Sequence, residues 1–320
     1  MKVLDQTISQ ITIPTPFAVG DVHTYLIKGD TLSLVDAGVK TKQAWEAVKS
    51  QLKSLGYRPG DVEQIILTHH HPDHIGLIEE FPSVKNIVAH KDVNYWLTRD
   101  ETYFRYYEKF FEEFYTSCGV PMELFTNFDK LRTQLDLVGK GSLTATIQEG
   151  DHLPGHPEWQ VIDSAGHAQS HLSFIRQNDG VFIGGDHILQ HISSNPLVEP
   201  PMEGKKTRPK PLLQYRENLQ KCLSLGIKLV LPGHGSIINN IHELIPARLL
   251  KQEQRAKKVL TLLEKTSMTP FQVCQNLFPN QHETQLNLTL SETIGQLDFL
   301  EYKGLINYEL TKGVLSYRTV

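Results

Sequence analysis

The chain has 320 residues, 39% hydrophobic, 21% charged and 8% aromatic, with a formal net charge of -4. That is the composition of a soluble globular protein long enough for one large domain and a small one, and the charge gives no whole-chain attraction to nucleic acid or anionic membrane. No apolar run approaches the ~20 residues that span a bilayer, MKVLDQTISQ lacks signal-peptide layout, and three scattered cysteines leave one over from any pairing, so a cytoplasmic, reducing location is expected.

VHTYLIKG (22–29) and TLSLVDAG (31–38) read as paired strands joined by a turn at Gly29–Asp30. TKQAWEAVKSQLKSLG (41–56) has helical spacing and stops at a glycine. QIILT (64–68) and NIVAH (86–90) are strands, and the intervening LTHHHPDHIG packs four histidines and an aspartate into one turn. A helical insert over about 91–140 carries an aromatic stripe from Tyr103 to Tyr115 at three- and four-residue steps. Such a stripe suits packing against the core, and its place after the histidine motif also suits a lid. LTATIQEGD (143–151), EWQVIDSAG (158–166), HLSFIRQ (171–177) and VFIGGD (181–186) are further strands. A helix at about 212–225 leads into IKLVLPGHG (227–235). The alternation predicts an α/β layered core over residues 1–249. Helices at 251–265, 269–279 and 291–304, then LINYEL and VLSYRT joined by TKG, have winged-helix order and predict a small unit over 250–320.

Side chains capable of holding metal recur where strands end. The QIIL strand delivers His69, His71, Asp73 and His74; later strands deliver His167, Asp186 and His234. Neutral imidazoles and carboxylates suit zinc, and also iron or manganese, and seven such groups can hold two ions. A lone histidine at a strand end is more often an ordinary polar residue. His70, His90, His156, His242 and His282 are read that way, while His152, His171 and His187 are candidates to support the ligands.

In order, VDAG, THHHPDH, AGH, GGD and PGHG resemble the motifs of the metallo-β-lactamase fold superfamily, from Val3 to about Pro246. The resemblance implies a four-layer αββα sandwich. It implies a first metal on His69, His71 and His167, a second on Asp73, His74 and His234, and Asp186 bridging them, with Asp36 as a carboxylate behind the ligands. His23 departs from the pattern, since many relatives carry Asn there. The implied nucleophile is a hydroxide shared by two divalent ions, zinc being expected, with Asp73 as the catalytic residue that orients it. True β-lactamases of the superfamily replace the bridging Asp with Cys or Ser, and flavodiiron relatives put Glu at the first His; neither pattern is present. No GxSxG elbow competes.

A small-molecule ester, a thioester or lactone as in glyoxalase II, is therefore the expected substrate. A two-metal ribonuclease or phosphodiesterase is the alternative, because the C-terminal part resembles that of the β-lactamase-like protein 2 group, which includes ribonucleases. A metal-binding regulator using a winged helix is a third. Against nucleic acid, the third helix of that unit carries Glu292, Asp298 and Glu301 with only Lys303, which would repel phosphate. The unit thus reads as a packing module or as one that forms a homodimer. GKKTRPKP (204–211) is either a clamp for an anionic substrate tail or a solvated loop.

Overall fold

The computed structural model describes residues 1–125, 133–201 and 203–320; the stretch 126–132 of the expected helical insert lies outside them. Among the described residues two sheets face each other. The first has the order β1 (Lys2–Val3), β2 (Ile8–Ile13), β3 (Val22–Lys28), β4 (Leu32–Val35), β5 (Gln64–Ile66), β6 (Asn86–Ala89) and β7 (Ala145–Thr146). Its β1–β4 neighbours are antiparallel and β4–β7 are parallel. The second runs β12 (Leu229–Pro232), β11 (Val181–Gly185), β10 (Leu172–Arg176), β9 (His156–Asp163), β8 (His152–Leu153), with only the β11–β12 pair parallel.

Alternation along these strands builds the layers. In β5, Ile66 points into the core between the sheets and Ile65 into the core under the helices; in β6, Val88 and Ala89 divide the same way. In β11, Val181 and Ile183 face the first sheet, whereas Phe182 faces the helices on the far side. Strands apolar on both faces must be covered on both. α1 (Lys42–Ser54) and α3 (Val93–Thr98) cover one side, and α5 (Pro211–Cys222) with the start of α6 (Ile241–Leu263) covers the other. The expected four-layer αββα order is present. Thr41 starts α1 by accepting the Ala44 N–H at 3.1 Å.

Two elements differ from expectation. LTATIQEGD pairs with its neighbour only at Ala145–Thr146, both exposed, because this edge leaves nothing beyond it to bury. The helix expected at 251 begins at Ile241 and carries Pro246 inside. A proline so near the start of a helix removes one hydrogen bond on an exposed turn, which the buried Ile241 and Ile245 outweigh. α6 therefore runs unbroken through 249–250, so the division proposed there is not a gap in the chain. Beyond it come α7 (Pro270–Leu277), α8 (Leu286–Tyr302), β13 (Ile306–Thr311) and β14 (Val314–Thr319), the order a winged-helix unit would have.

The aromatic stripe lies on α4 (Glu101–Ser117). Phe104 packs edge-on against Trp96, and Phe111 and Tyr115 enter a core shared with α6, α7, α8 and the hairpin. Packing is thus its main task, although Tyr107 also faces the cleft described below. The basic stretch 204–211 is neither clamp nor solvated loop at its charged end. Arg208 makes two 2.7 Å bonds to the Asp298 carboxylate, and Lys210 reaches Glu301 at 2.6 Å. Glu292 is paired with Arg255. Of the acids of α8, Asp298 is thus buried, while Glu292 and Glu301 are partly exposed, and all three are paired with cations of the chain itself. α8 has buried residues along most of its length, from Leu286 to Leu300.

Candidate metal centre

The seven strand-end residues meet in one place. The ligand atoms of His69, His71 and His167 lie within 4.8 Å of one another, as do those of Asp73, His74 and His234, and those of His69, His74 and Asp186. Asp186 spans the two triads: Oδ1 is 3.4 Å from His74 Nε2, while Oδ2 is 3.6 Å from His167 Nε2 and 3.5 Å from His234 Nε2. Asp73 Oδ2 is 3.2 Å from His234 Nε2. The other histidines, among the described residues, belong to none of these groups.

Hydrogen bonds at the back of four of the five rings decide which nitrogen faces inward. His74 Nδ1 donates to Asp36 Oδ2 at 2.7 Å. His69 Nδ1 donates to Thr68 Oγ1 at 2.9 Å, since that hydroxyl spends its own proton on Asp36. His167 Nδ1 donates to the Asn195 carbonyl at 3.0 Å and His234 Nδ1 to the Asp21 carbonyl at 2.8 Å. These four rings therefore turn Nε2 to the centre, the nitrogen that would bind a metal. His71 is turned the other way, with Nδ1 3.0 Å from both His69 Nε2 and His167 Nε2. Nitrogens bonded to one ion at ~2.0–2.1 Å in tetrahedral array stand roughly 3.3 Å apart, so this spacing fits three ligands of a common cation.

Two further observations test the fit. His74 Nε2, His234 Nε2 and Asp186 Oδ1 are buried without a hydrogen-bond partner, which costs free energy unless something else satisfies them. The electrostatics divide in two. Burial, reinforced by neighbouring histidines, holds His69 and His71 well below their ordinary pKa, and burial lowers His167, so that triad is neutral. Burial alone would lower His74 and His234 too. Asp186 and its neighbouring carboxylates outweigh it, raising His74 well above the ordinary value and His234 to about 10. The field there favours positive charge, as a divalent cation would supply.

Local backbone makes this approach feasible. Asp36 adopts φ 63, a strained conformation for a non-glycine residue. Its two oxygens take Thr68 N–H, Thr68 O–H and His74. Gly185 has φ 48, and a Cβ there would sit 2.8 Å from His171 Nε2; at Gly233 a Cβ would collide with Asp186 Oδ1. His171 accepts the Asp186 N–H on that Nε2 at 3.0 Å and holds Ser164 at 2.7 Å, so it fixes the backbone of the residue between the triads. His187 is buried against Tyr215 with neither ring nitrogen bonded, and His152 is exposed on β8. The departure at His23 is explained by β3: its Nε2–H donates to the Gly235 carbonyl at 2.8 Å, clasping the loop that carries His234.

Above the centre opens a cavity of about 450 Å³. Phe17, Val19, Trp96, Tyr107, Leu189 and Ile192 line it, and so does Leu288 from the start of α8. Sequence reading missed Asn195 and Leu288. Asn195 holds His167 through its carbonyl and donates Nδ2–H to the Leu288 carbonyl at 2.8 Å, tying the C-terminal part to the site.

Comparison with known proteins comes to the same family. Residues 18–234 match the model of the metallo-beta-lactamase superfamily. A probable metallo-hydrolase of Bacillus subtilis (strain 168), YqjP, is 38% identical over 310 residues, covering 97% of each chain. An N-acyl homoserine lactonase, AttM, of Azorhizobium caulinodans is 34% identical over 119 residues, 36% of this chain and 42% of that protein. The crystal structure of a metallo-beta-lactamase family protein from Thermus thermophilus superposes with a TM-score of 0.83 at 23% identity, over 99% of this chain and 100% of the other; that likeness is one of fold.

Proposed function

We propose, from the premise that this chain belongs to the metallo-beta-lactamase superfamily and is a metal-dependent hydrolase, that its substrate is a small ester, a thioester or lactone. The observation that carries the reading is the wall of the cavity: beside five of the candidate ligands and a smaller set of other polar side chains, it presents a cluster of aliphatic and aromatic ones, Phe17, Val19, Trp96, Tyr107, Leu189, Ile192 and Leu288, which suit an acyl chain. The partial relative named as a lactonase supports the ester class.

His69, His71 and His167 would hold one divalent ion, Asp73, His74 and His234 a second, with Asp186 between them; zinc suits the donors, and iron or manganese would too. When bound, such a pair polarises a carbonyl and acidifies water at neutral pH. The chain's own residues do the rest. Asp73, 7% exposed at the cavity floor, is the acceptor that orients water and relays its proton toward the leaving atom. Trp96, Tyr107, Ile192 and Leu288 keep bulk solvent from the acyl group. The nuclease alternative is weakened by the pairing of Arg208 and Lys210 with α8, which takes two of the four cations of the basic stretch out of use for phosphate.

The test is a panel of thioesters, lactones, bis(p-nitrophenyl) phosphate and single-stranded RNA, offered to zinc-, iron- and manganese-loaded protein. Thioester or lactone turnover is expected, lost by at least about 100-fold in His71→Ala and Asp186→Ala. RNA cleavage abolished by the same substitutions, without ester turnover, would replace the ester reading.

A further inference from the structure

A second cavity, of about 360 Å³, adjoins the metal cleft, and His70, Trp96 and Glu199 line both. One molecule can therefore extend from the first into the second. Its other walls include Tyr95 and Tyr103, and the carboxylates of Asp92 and Glu203.

We propose that this second chamber binds a primary ammonium group, carried by the substrate whose ester is cleaved at the metal centre; that last clause rests on the function proposed above, while the ammonium site does not. Two buried carboxyl groups point to it. Glu199 is only 7% exposed, and its hydrogen bond is a single one, from the Gln169 N–H to Oε1 at 2.7 Å. Among the described residues its second oxygen has no donor. Burial, opposed by that N–H and reinforced by Asp92, pushes Glu199 up to about 8, the behaviour of an acid lacking a counter-charge. Asp92 Oδ2 is likewise buried without a hydrogen-bond partner. His90 Nδ1 stands 3.4 Å away, but that nitrogen accepts the N–H of Asp92 itself and so presents a lone pair.

The fold uses one oxygen of Glu199, for the Gln169 N–H, and leaves the other without a donor among the described residues. Asp92 stands at the start of α3 without capping it, whereas Asp100, on the same wall, is spent on the Tyr103 N–H at 2.8 Å. Lys205 lies exposed on the rim and, among the described residues, forms no ion pair with these acids. A partner with N–H donors and positive charge would suit both acids in this aromatic enclosure. A primary ammonium brings three donors and is attracted to ring faces; a phosphate or carboxylate would be repelled.

Calorimetric titration with n-hexylammonium chloride and with n-hexanol at pH 7, on metal-loaded and on chelator-treated protein, tests this. Hexylammonium should bind at least about 10-fold more tightly than hexanol in both forms, which separates the chamber from direct metal ligation. Glu199→Gln and Asp92→Asn should each erase most of that preference and leave hexanol binding unchanged, with thermal melts verifying the fold. If one variant fails to fold, the other decides. Equal binding of amine and alcohol, or a preference that survives in the folded variants, would overturn the site. An ammonium preference in a protein that cleaves no ester on the panel would leave the chamber standing and sink the ester reading alone.

Discussion

Four of the five imidazoles at the centre are aimed by what stands behind them, so the supporting groups are as consequential as the ligands. Asp36 shows this most plainly, because one carboxylate accepts from Thr68 N–H, Thr68 O–H and His74 Nδ1–H together. An asparagine has the same shape but only one accepting oxygen, and its amide protons would face a donor. Asp36→Asn should therefore weaken metal binding by about 10–100-fold, with secondary structure retained. Competition with a chromophoric chelator reads this directly; unchanged affinity would mean that the His74 ring is held by packing alone. The seven candidate ligands could be picked out in the sequence, because a strand end plus a metal-capable side chain is a pattern of residue types, and Asp36 came from the family resemblance. The acceptors behind His167 and His234 were not legible. They are the carbonyls of Asn195 and Asp21, and every residue has a carbonyl.

Among the elements, α8 was misread in one respect. Its acids read only as repelling phosphate, because helical spacing gives no sign of partners that come from a loop earlier in the chain. Asp298 is only 2% exposed and depends on the two-pronged contact with Arg208, with Lys210 at 3.8 Å. Removing one partner of such a pair strands the other charge in the interior, which costs more than the pair itself gains. Arg208→Ala should lower stability by about 3 kcal/mol in denaturant unfolding. Arg208→Ala combined with Asp298→Ala should recover much of that loss, since no orphaned charge remains. A single substitution with no effect would show that water or Lys210 already satisfies Asp298. Most strands and an α/β layered core, by contrast, could be read in advance from the alternation, while the four-layer order came from the family resemblance.

At the scale of the whole molecule, the proposed division at 249–250 makes a measurable claim. Three of the cores lie within the αββα sandwich, but the fourth joins Phe111, Tyr115 and Cys118 from the insert to Val259, Cys274, Ile294 and Tyr317 from the C-terminal part. The cleft has the same mixed parentage, since Leu288 walls it and Asn195 ties the two parts together. Elements that share a core lose each other's buried surface when either opens, so the two parts should unfold in one transition. Cys274 and Cys118 report on the shared core, and Trp45, Trp96 and Trp159 report on the sandwich. Thiol labelling of Cys274, mapped by peptide mass spectrometry across a urea series, should follow the same midpoint as tryptophan fluorescence. Labelling of Cys274 at clearly lower urea, with fluorescence still native, would show that 250–320 is a separate folding unit. The cleft would then lose its Leu288 wall before the metal centre itself came apart.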